Sequence, residues 1–387
     1  MRHYSQNARW LTLFAPFRAL SISAAYLTPF FLEHGLSTSQ IFLLQSIFSA
    51  AYLLWEIPSG MVADRLGRAR SIKISAPIAA VGIIAYGMSG EFWQFVVCEL
   101  ILAIANGLIS GVDTALLVDS LKADGRSKEY VRVQQRMDGL GFASTAAAVP
   151  LAIVLVHFFG VSSTLIADGI MTLLGAYFVM RLVEAPRTNG GQKKARRSTW
   201  KALHELVSSV RVRWIIALRT ALNTATYLGF WLAPLYYAQL GIPVVLFGAI
   251  LAVRNLWKAW LTHRFHRDEH VTRKIGTFTA LAGAVYLAMA TKQLWLAWTV
   301  LGHDLVQALG RAPLDRRLND HIDEDHRATL NSVANLVQRM AYMVAGPVVG
   351  LMVDQTSLAS GFVATGVACS AVATVALVRL HRMRALD

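Results

Sequence analysis

Twelve stretches of about twenty mostly apolar residues recur along this chain, at 10–33, 40–63, 71–89, 92–120, 131–157, 162–183, 212–239, 243–263, 273–291, 294–314, 328–352 and 358–380. Each is long enough to cross a hydrocarbon core of roughly 30 Å. The bilayer offers no water to backbone polar groups, so a spanning segment is a helix or part of a closed barrel. The runs are continuous rather than alternating, which excludes the barrel. The expected fold class is an all-α polytopic membrane protein with twelve transmembrane helices. The chain is 55% hydrophobic and 16% charged over 387 residues, too few charges for a soluble protein of this length. Cys98 and Cys369 lie inside apolar stretches and read as buried thiols, not a disulfide framework. No small-residue cleavage site follows the first stretch, so it is expected to be retained as a helix.

The net charge of +14 would suggest nucleic acid if the chain were soluble. Its placement argues otherwise. With the N-terminus inside, thirty of the 37 Lys and Arg fall in inner segments or within about three residues of the inner ends of the spans, and only Lys292 in an outer one. That asymmetry puts both termini in the cytoplasm and sets the excess charge against anionic lipid. Membrane lipid is thus an expected partner and nucleic acid is not. Arg18, Arg136, Arg219, Arg254, Lys258 and Arg339 remain within spans.

The widest gap, 184–211, holds Pro186, Gly190, Gly191 and the run KKARR. It divides the chain into a first bundle (1–184), a cytoplasmic linker (185–211) and a second bundle (212–387). Trp200, Leu203, Val207 and Val210 fall on one helical face, as in an amphipathic helix lying on the inner surface. The halves echo each other. Arg18 and Tyr26 recur as Arg219 and Tyr227, shifted by 201, and Gln135-Arg136-Met137 recurs as Gln338-Arg339-Met340, shifted by 203.

Between the second and third spans the chain reads EIPSGMVADRLGRARSIK. Gly60 allows close helix approach, and Gly67 permits a reversal with φ > 0. Arg65, Arg68 and Arg70 stay in water on the inner face. Asp64 is suited to dock on a helix N-terminus or an Arg. This G-x-x-x-D-R-x-G-R-x-R pattern resembles the signature loop of the major facilitator superfamily, and it recurs weakly near His263, shifted by 199. The resemblance implies a secondary transporter of two pseudo-symmetric six-helix bundles, working by alternating access around a midplane cavity. It also implies a conformational latch of Glu56, Gly60, Asp64, Arg65, Gly67, Arg68, Asp119, Arg136 and Arg339, with Arg136 as the partner of Asp119.

Ionisable residues inside a membrane are functional candidates, because each is costly unless paired or wetted. The first half holds Arg18, Glu56, Glu99, Asp113, Arg136, Asp138 and Asp168. The second holds Arg219, Arg254, Lys258, Asp304 and Arg339, with His303 beside Asp304. Acids of the first half are read as proton carriers and bases of the second as contacts for an anionic substrate, against the plainer reading of structural ion pairs. Arg18 and Asp113 both lie roughly 10–12 Å from the inner face and are the preferred coupling pair. The resemblance places the first and fourth helices of each half on the cavity. The substrate- and proton-binding candidates are Arg18, Tyr26, Asp113, Arg219, Asn223, Tyr227, Arg254, Lys258, His303 and Asp304. Tyr26, Phe30, Tyr52, Trp55, Tyr227, Trp231, Trp257 and Trp298 would suit a bulky amphipathic molecule.

The family's drug antiporters carry a G-P-x-x-G-G element in the fifth helix. Here that helix reads AVPLAI, and Gly346-Pro347-Val348-Val349-Gly350 falls in the eleventh. His266–His270 fits H-x-x-E-H and His321–His326 is rich in acids. Both are short inner loops without the context a metal site needs, and no P-loop is present. No metal, cofactor or catalytic residue is expected. The expectation is a monomeric, non-enzymatic transporter of the cytoplasmic membrane, an antiporter driving proton-coupled efflux of an amphipathic compound. The alternatives are transport of an anionic metabolite or siderophore, and a non-transporting receptor that keeps the fold.

Overall fold

The computed structural model describes residues 3–186, 209–265, 275–291, 293, 300–306, 314–315, 318 and 327–383. Trp298, both histidine-rich strings and nearly all of the amphipathic linker stretch lie outside these residues. Every regular element among the described residues is helical. The chain forms two compact units, one of Met1–Leu36 with Leu44–Asn189 and one of Ser37–Leu43 with Gly190–Asp387.

The first unit contains α1 (Asn7–Ala19), α2 (Leu27–Glu33), most of α3 (Thr38–Leu66), α4 (Arg68–Met88), α5 (Phe92–Ile109), α6 (Val112–Ala123), α7 (Tyr130–Phe159) and α8 (Ser162–Val179). Two expected spans are each broken. The first, 10–33, is α1 and α2, because Leu20 turns extended at φ −58°, ψ 132° and the next helix starts only at Leu27. The fourth, 92–120, is α5 and α6, parted at Ser110-Gly111 with Gly111 left-handed at φ 72°. That conformation would cost a residue with a Cβ roughly 1–2 kcal/mol. Leu11, Ile72, Leu116, Leu117, Val179 and Leu182 pack a common core between α1, α4, α6 and α8. A second cluster is aromatic, with the Phe30 and Phe31 rings each 5.6 Å from Phe95 and nearly perpendicular to it. Outward, α7 leaves Phe142, Val154, Phe158 and Phe159 exposed, a surface suited to lipid rather than water.

The second unit contains α9 (Val210–Gln239), α10 (Phe247–Phe265), α11 (Ile275–Met289), α12 (Arg327–Gln355), α13 (Leu358–Arg382) and a helical stretch over 300–306. Close helix approach depends on small residues. A Cβ at Gly366 would stand 2.9 Å from the Tyr286 Cβ and 3.3 Å from the Gly283 carbonyl oxygen. The G-P-V-V-G element of α12 serves as a ledge for the first turn of α3. A Cβ at Gly350 would lie 2.6 Å from the Ser39 Cα. One turn on, Asp354 accepts the amides of Thr38 (2.9 Å) and Ser39 (2.8 Å) and so caps α3.

Seven of the described helical segments are long and apolar enough to cross a membrane, or eight if Thr38–Glu56 and Pro58–Leu66, bent by 49°, count as one. The chain is a multi-pass α-helical membrane protein. Cys98 and Cys369 are free and buried, as their apolar surroundings lead one to expect.

Candidate functional site

Both broken spans of the first unit lead to the same ion pair. Arg18 is in the last turn of α1 and Asp113 in the first turn of α6. The Arg18 guanidinium donates to the Asp113 carboxylate. The Arg18 side chain is 44% exposed and that of Asp113 only 10%. The break in α5–α6 is braced by Tyr52, whose hydroxyl is 2.7 Å from the Ser110 hydroxyl. A half-exposed cation on a nearly buried acid is an exchangeable arrangement. An anion can take the guanidinium, and a proton can then take the carboxylate. Tyr26 ends the unwound stretch and is fully buried, as is Phe30.

In the second unit the expected bases fall into two clusters. Arg219 of α9 donates from Nε to Asp315 (2.6 Å) and from Nη2 to Asn335 (2.8 Å), while its buried Nη1 has no partner among the described residues. One turn on, Asn223 donates to Gln338 at 2.9 Å. Asp315 lies just past the expected edge of the tenth span and was overlooked as a loop residue. Its signal was present, since Asp113 and Asp315 are 202 apart as Arg18 and Arg219 are 201 apart. Each unit therefore holds one Arg–Asp pair at repeat-related positions. Their exposures are inverted: Arg219 is 3% and Asp315 31% exposed.

The other cluster is centred on Asp304, which is fully buried. Arg254 of α10 grips both its oxygens, at 2.7 and 2.9 Å, and places Nη1 3.2 Å from the Tyr237 hydroxyl. Lys258, one turn along, stands 4.0 Å from Asp304, and the His303 Nδ1 3.7 Å. The His303 Nε2 is buried without a partner among the described residues, next to a notch that Gly229 leaves open. Arg254 and Lys258 thus both face Asp304. Tyr227 is half exposed and its ring centroid lies 5.7 Å from that of Tyr342. Trp231 is buried, and Trp257 stacks on Trp260 at 5.2 Å.

The signature loop is built around Gly67, which starts α4 at φ 103°. Arg68 donates to Asp119 and to the Ala115 carbonyl. Arg68, not the expected Arg136, is thus the partner of Asp119. Arg136 of α7 is exposed, whereas Arg68 in the first turn of α4 reaches α6. Glu56, Gly60, Asp64 and Arg65 are exposed, and Arg339 is half-buried in α12. Glu184 had no sequence signal. Its two oxygens accept the amides of Arg68 (2.8 Å) and Ala69 (2.9 Å), capping α4. A Cβ at Gly67 would stand 2.7 Å from one of those oxygens. Gly67→Ala is expected to cost roughly 1–3 kcal/mol through its backbone strain. Glu184→Ala should cost about 1 kcal/mol as a lost cap. The double variant should be milder than the sum, because removing the carboxylate also removes the clash. Thermal unfolding of the detergent-solubilised protein checks all three.

Broken spans that bring paired charges together inside a multi-pass helical protein are a feature of secondary-transporter folds. Residues 10–309 match the Major Facilitator Superfamily, and the chain belongs to that family. An uncharacterized transporter of Buchnera aphidicola is 24% identical over 176 residues, 45% of this chain. The match spans 43% of that relative's length. Among solved structures, the nucleoside transporter NupG (D323A mutant) superposes with a TM-score of 0.79 at 12% identity, covering 96% of this chain and 99% of its own. A bacterial homologue of the human lysosomal transporter Spinster, inward-facing and unoccupied, gives 0.74 at 14%, with 97% and 96% covered. The POT-family transporter PepTSo gives 0.73 at 13%, with 99% of each chain covered. At these identities the likeness shows a shared fold. The chain is a transporter of the major facilitator type.

Proposed function

We propose that this protein is a proton-coupled antiporter of the cytoplasmic membrane, with both termini inside, that exports a small amphipathic organic molecule unchanged. The observation that carries the coupling is the pair of half-exposed Arg18 and nearly buried Asp113. The intact Arg18–Asp113 pair accompanies bound substrate; a proton taken by Asp113 breaks the pair and expels the substrate, and loss of that proton restores the pair for the next one. Exchange of pairing partners drives the cycle, so no enzyme-like chemistry, cofactor or metal is required. The thirty-to-one placement of Lys and Arg supports the orientation. Within the first unit, Tyr52 and Trp55 supply partly exposed aromatic surface for an amphipathic substrate. The monomer is the expected working unit.

A second reading, an anionic metabolite or siderophore as substrate, is favoured by the basic side chains of Arg254 and Lys258 gathered around Asp304. Proteoliposomes with an imposed pH gradient separate the readings when screened against ethidium, a catechol siderophore, benzoate and citrate. Gradient-driven movement of ethidium supports the first, and movement confined to the acids supports the second. A reconstituted, folded protein that moves none of them under any gradient overturns both and favours a receptor.

A further inference from the structure

The unwound stretch between α1 and α2 exposes backbone donors that a helix would satisfy. One carboxylate collects them. Asp168 of α8, itself buried, accepts the amide of Ile22 at 2.7 Å, the amide of Ser23 at 2.9 Å and the Ser23 hydroxyl at 2.6 Å. No ion pair of Asp168 is present among the described residues. Its hydrogen bonds are spent on the break.

The second unit supplies an internal control. Shifted by 201, Ile22 and Ser23 become Asn223 and Thr224, and Asp168 becomes Cys369. There the thiol faces the Ala221 carbonyl at 3.6 Å, and α9 runs unbroken from Val210 to Gln239. The Arg of that helix, Arg219, is 3% exposed, against 44% for Arg18. Where the acid is present the helix is broken and its Arg is open. Where a thiol replaces the acid, the helix is continuous and its Arg is closed in.

We propose that Asp168 is a positioning residue for the Arg18–Asp113 site: it pins the first span open at Leu20–Tyr26 and so keeps the Arg18 guanidinium accessible. The inference rests on Arg18 and Asp113 being the coupling pair, but its test does not.

Phenylglyoxal labelling of the full-length protein in nanodiscs, read peptide by peptide by mass spectrometry, reports the exposure of each arginine. In the parent, Arg18 should label readily and Arg219 should resist. In Asp168→Asn, which keeps the side-chain shape but replaces one acceptor by a donor, labelling of Arg18 should fall several-fold toward that of Arg219. Asp168→Glu, which retains both acceptor oxygens, should recover most of it. A merely loosened fold would raise labelling at Arg18, so the sign separates positioning from general structural support. Unchanged or increased labelling of Arg18 in Asp168→Asn overturns the proposal, as does failure of Asp168→Glu to recover it. If Asp168→Asn does not reach the membrane, Ser23→Ala removes one of the three hydrogen bonds and should lower Arg18 labelling to an intermediate level. No change there overturns the proposal. Proton-driven flux of Asp113→Asn, in which Asp168 is intact, reports separately on the coupling role of Asp113.

Discussion

Asp113→Asn is expected to disconnect transport from the proton gradient while leaving the protein folded. Asparagine has the shape of aspartate and can still accept a hydrogen bond from Arg18, but it carries no charge and takes up no proton. The stability cost should stay within about 1 kcal/mol, because the Arg18 side of the pair is open to solvent. The functional cost should be near total. Across a gradient of about two pH units, a one-proton exchanger sustains up to roughly a hundredfold substrate ratio, and an uncoupled carrier sustains none. Counterflow of substrate against substrate needs no net proton movement and should persist. The measurement is uphill movement beside counterflow in the same proteoliposomes. Concentrative transport surviving in Asp113→Asn would remove Asp113 from the coupling step. Loss of both activities in folded protein would make the pair structural.

What could be read in advance, and what could not, follows from the range of the interactions involved. Hydropathy and charge placement are local, so the apolar stretches, their orientation and the signature loop are visible in a linear string. The break in the first span is not. Its residues look like ordinary helix, and the acid that opens it lies 146 positions from Ile22. Asp168 is recognisable as a buried charge but not as a backbone clamp, because nothing in a sequence says which donors it meets. Glu184 is hidden for the same reason, since its partners Arg68 and Ala69 are more than a hundred positions away. Asp315 is a different case. Apolarity ended the tenth span one residue too early, and the repeat offset would have recovered it. Arg254 and Asp304 stand out in the sequence as charges within apolar stretches, but their mutual pairing, and the separation of both from Arg219, is decided by helix packing.

Asp304→Ala is expected to cause the largest loss of stability in the second unit. It would leave the Arg254 guanidinium, itself 7% exposed, with only the Tyr237 hydroxyl for company. Removing one partner of a buried pair typically costs about 3–5 kcal/mol, which corresponds to a fall in unfolding temperature of roughly 10 °C. Replacing both partners with apolar residues, as in Arg254→Met with Asp304→Leu, removes the orphaned charge and should recover most of the loss. Lys258 separates structure from recognition. Its side chain is 28% exposed, so Lys258→Gln should leave the unfolding temperature nearly unchanged. If the cluster meets an anionic substrate, that same variant should weaken benzoate or citrate transport while sparing ethidium. A fall in stability of equal size for Asp304→Ala and the double apolar variant would show that the cost comes from lost packing. Equal transport of all probes by Lys258→Gln and parent would confine Lys258 to a structural part.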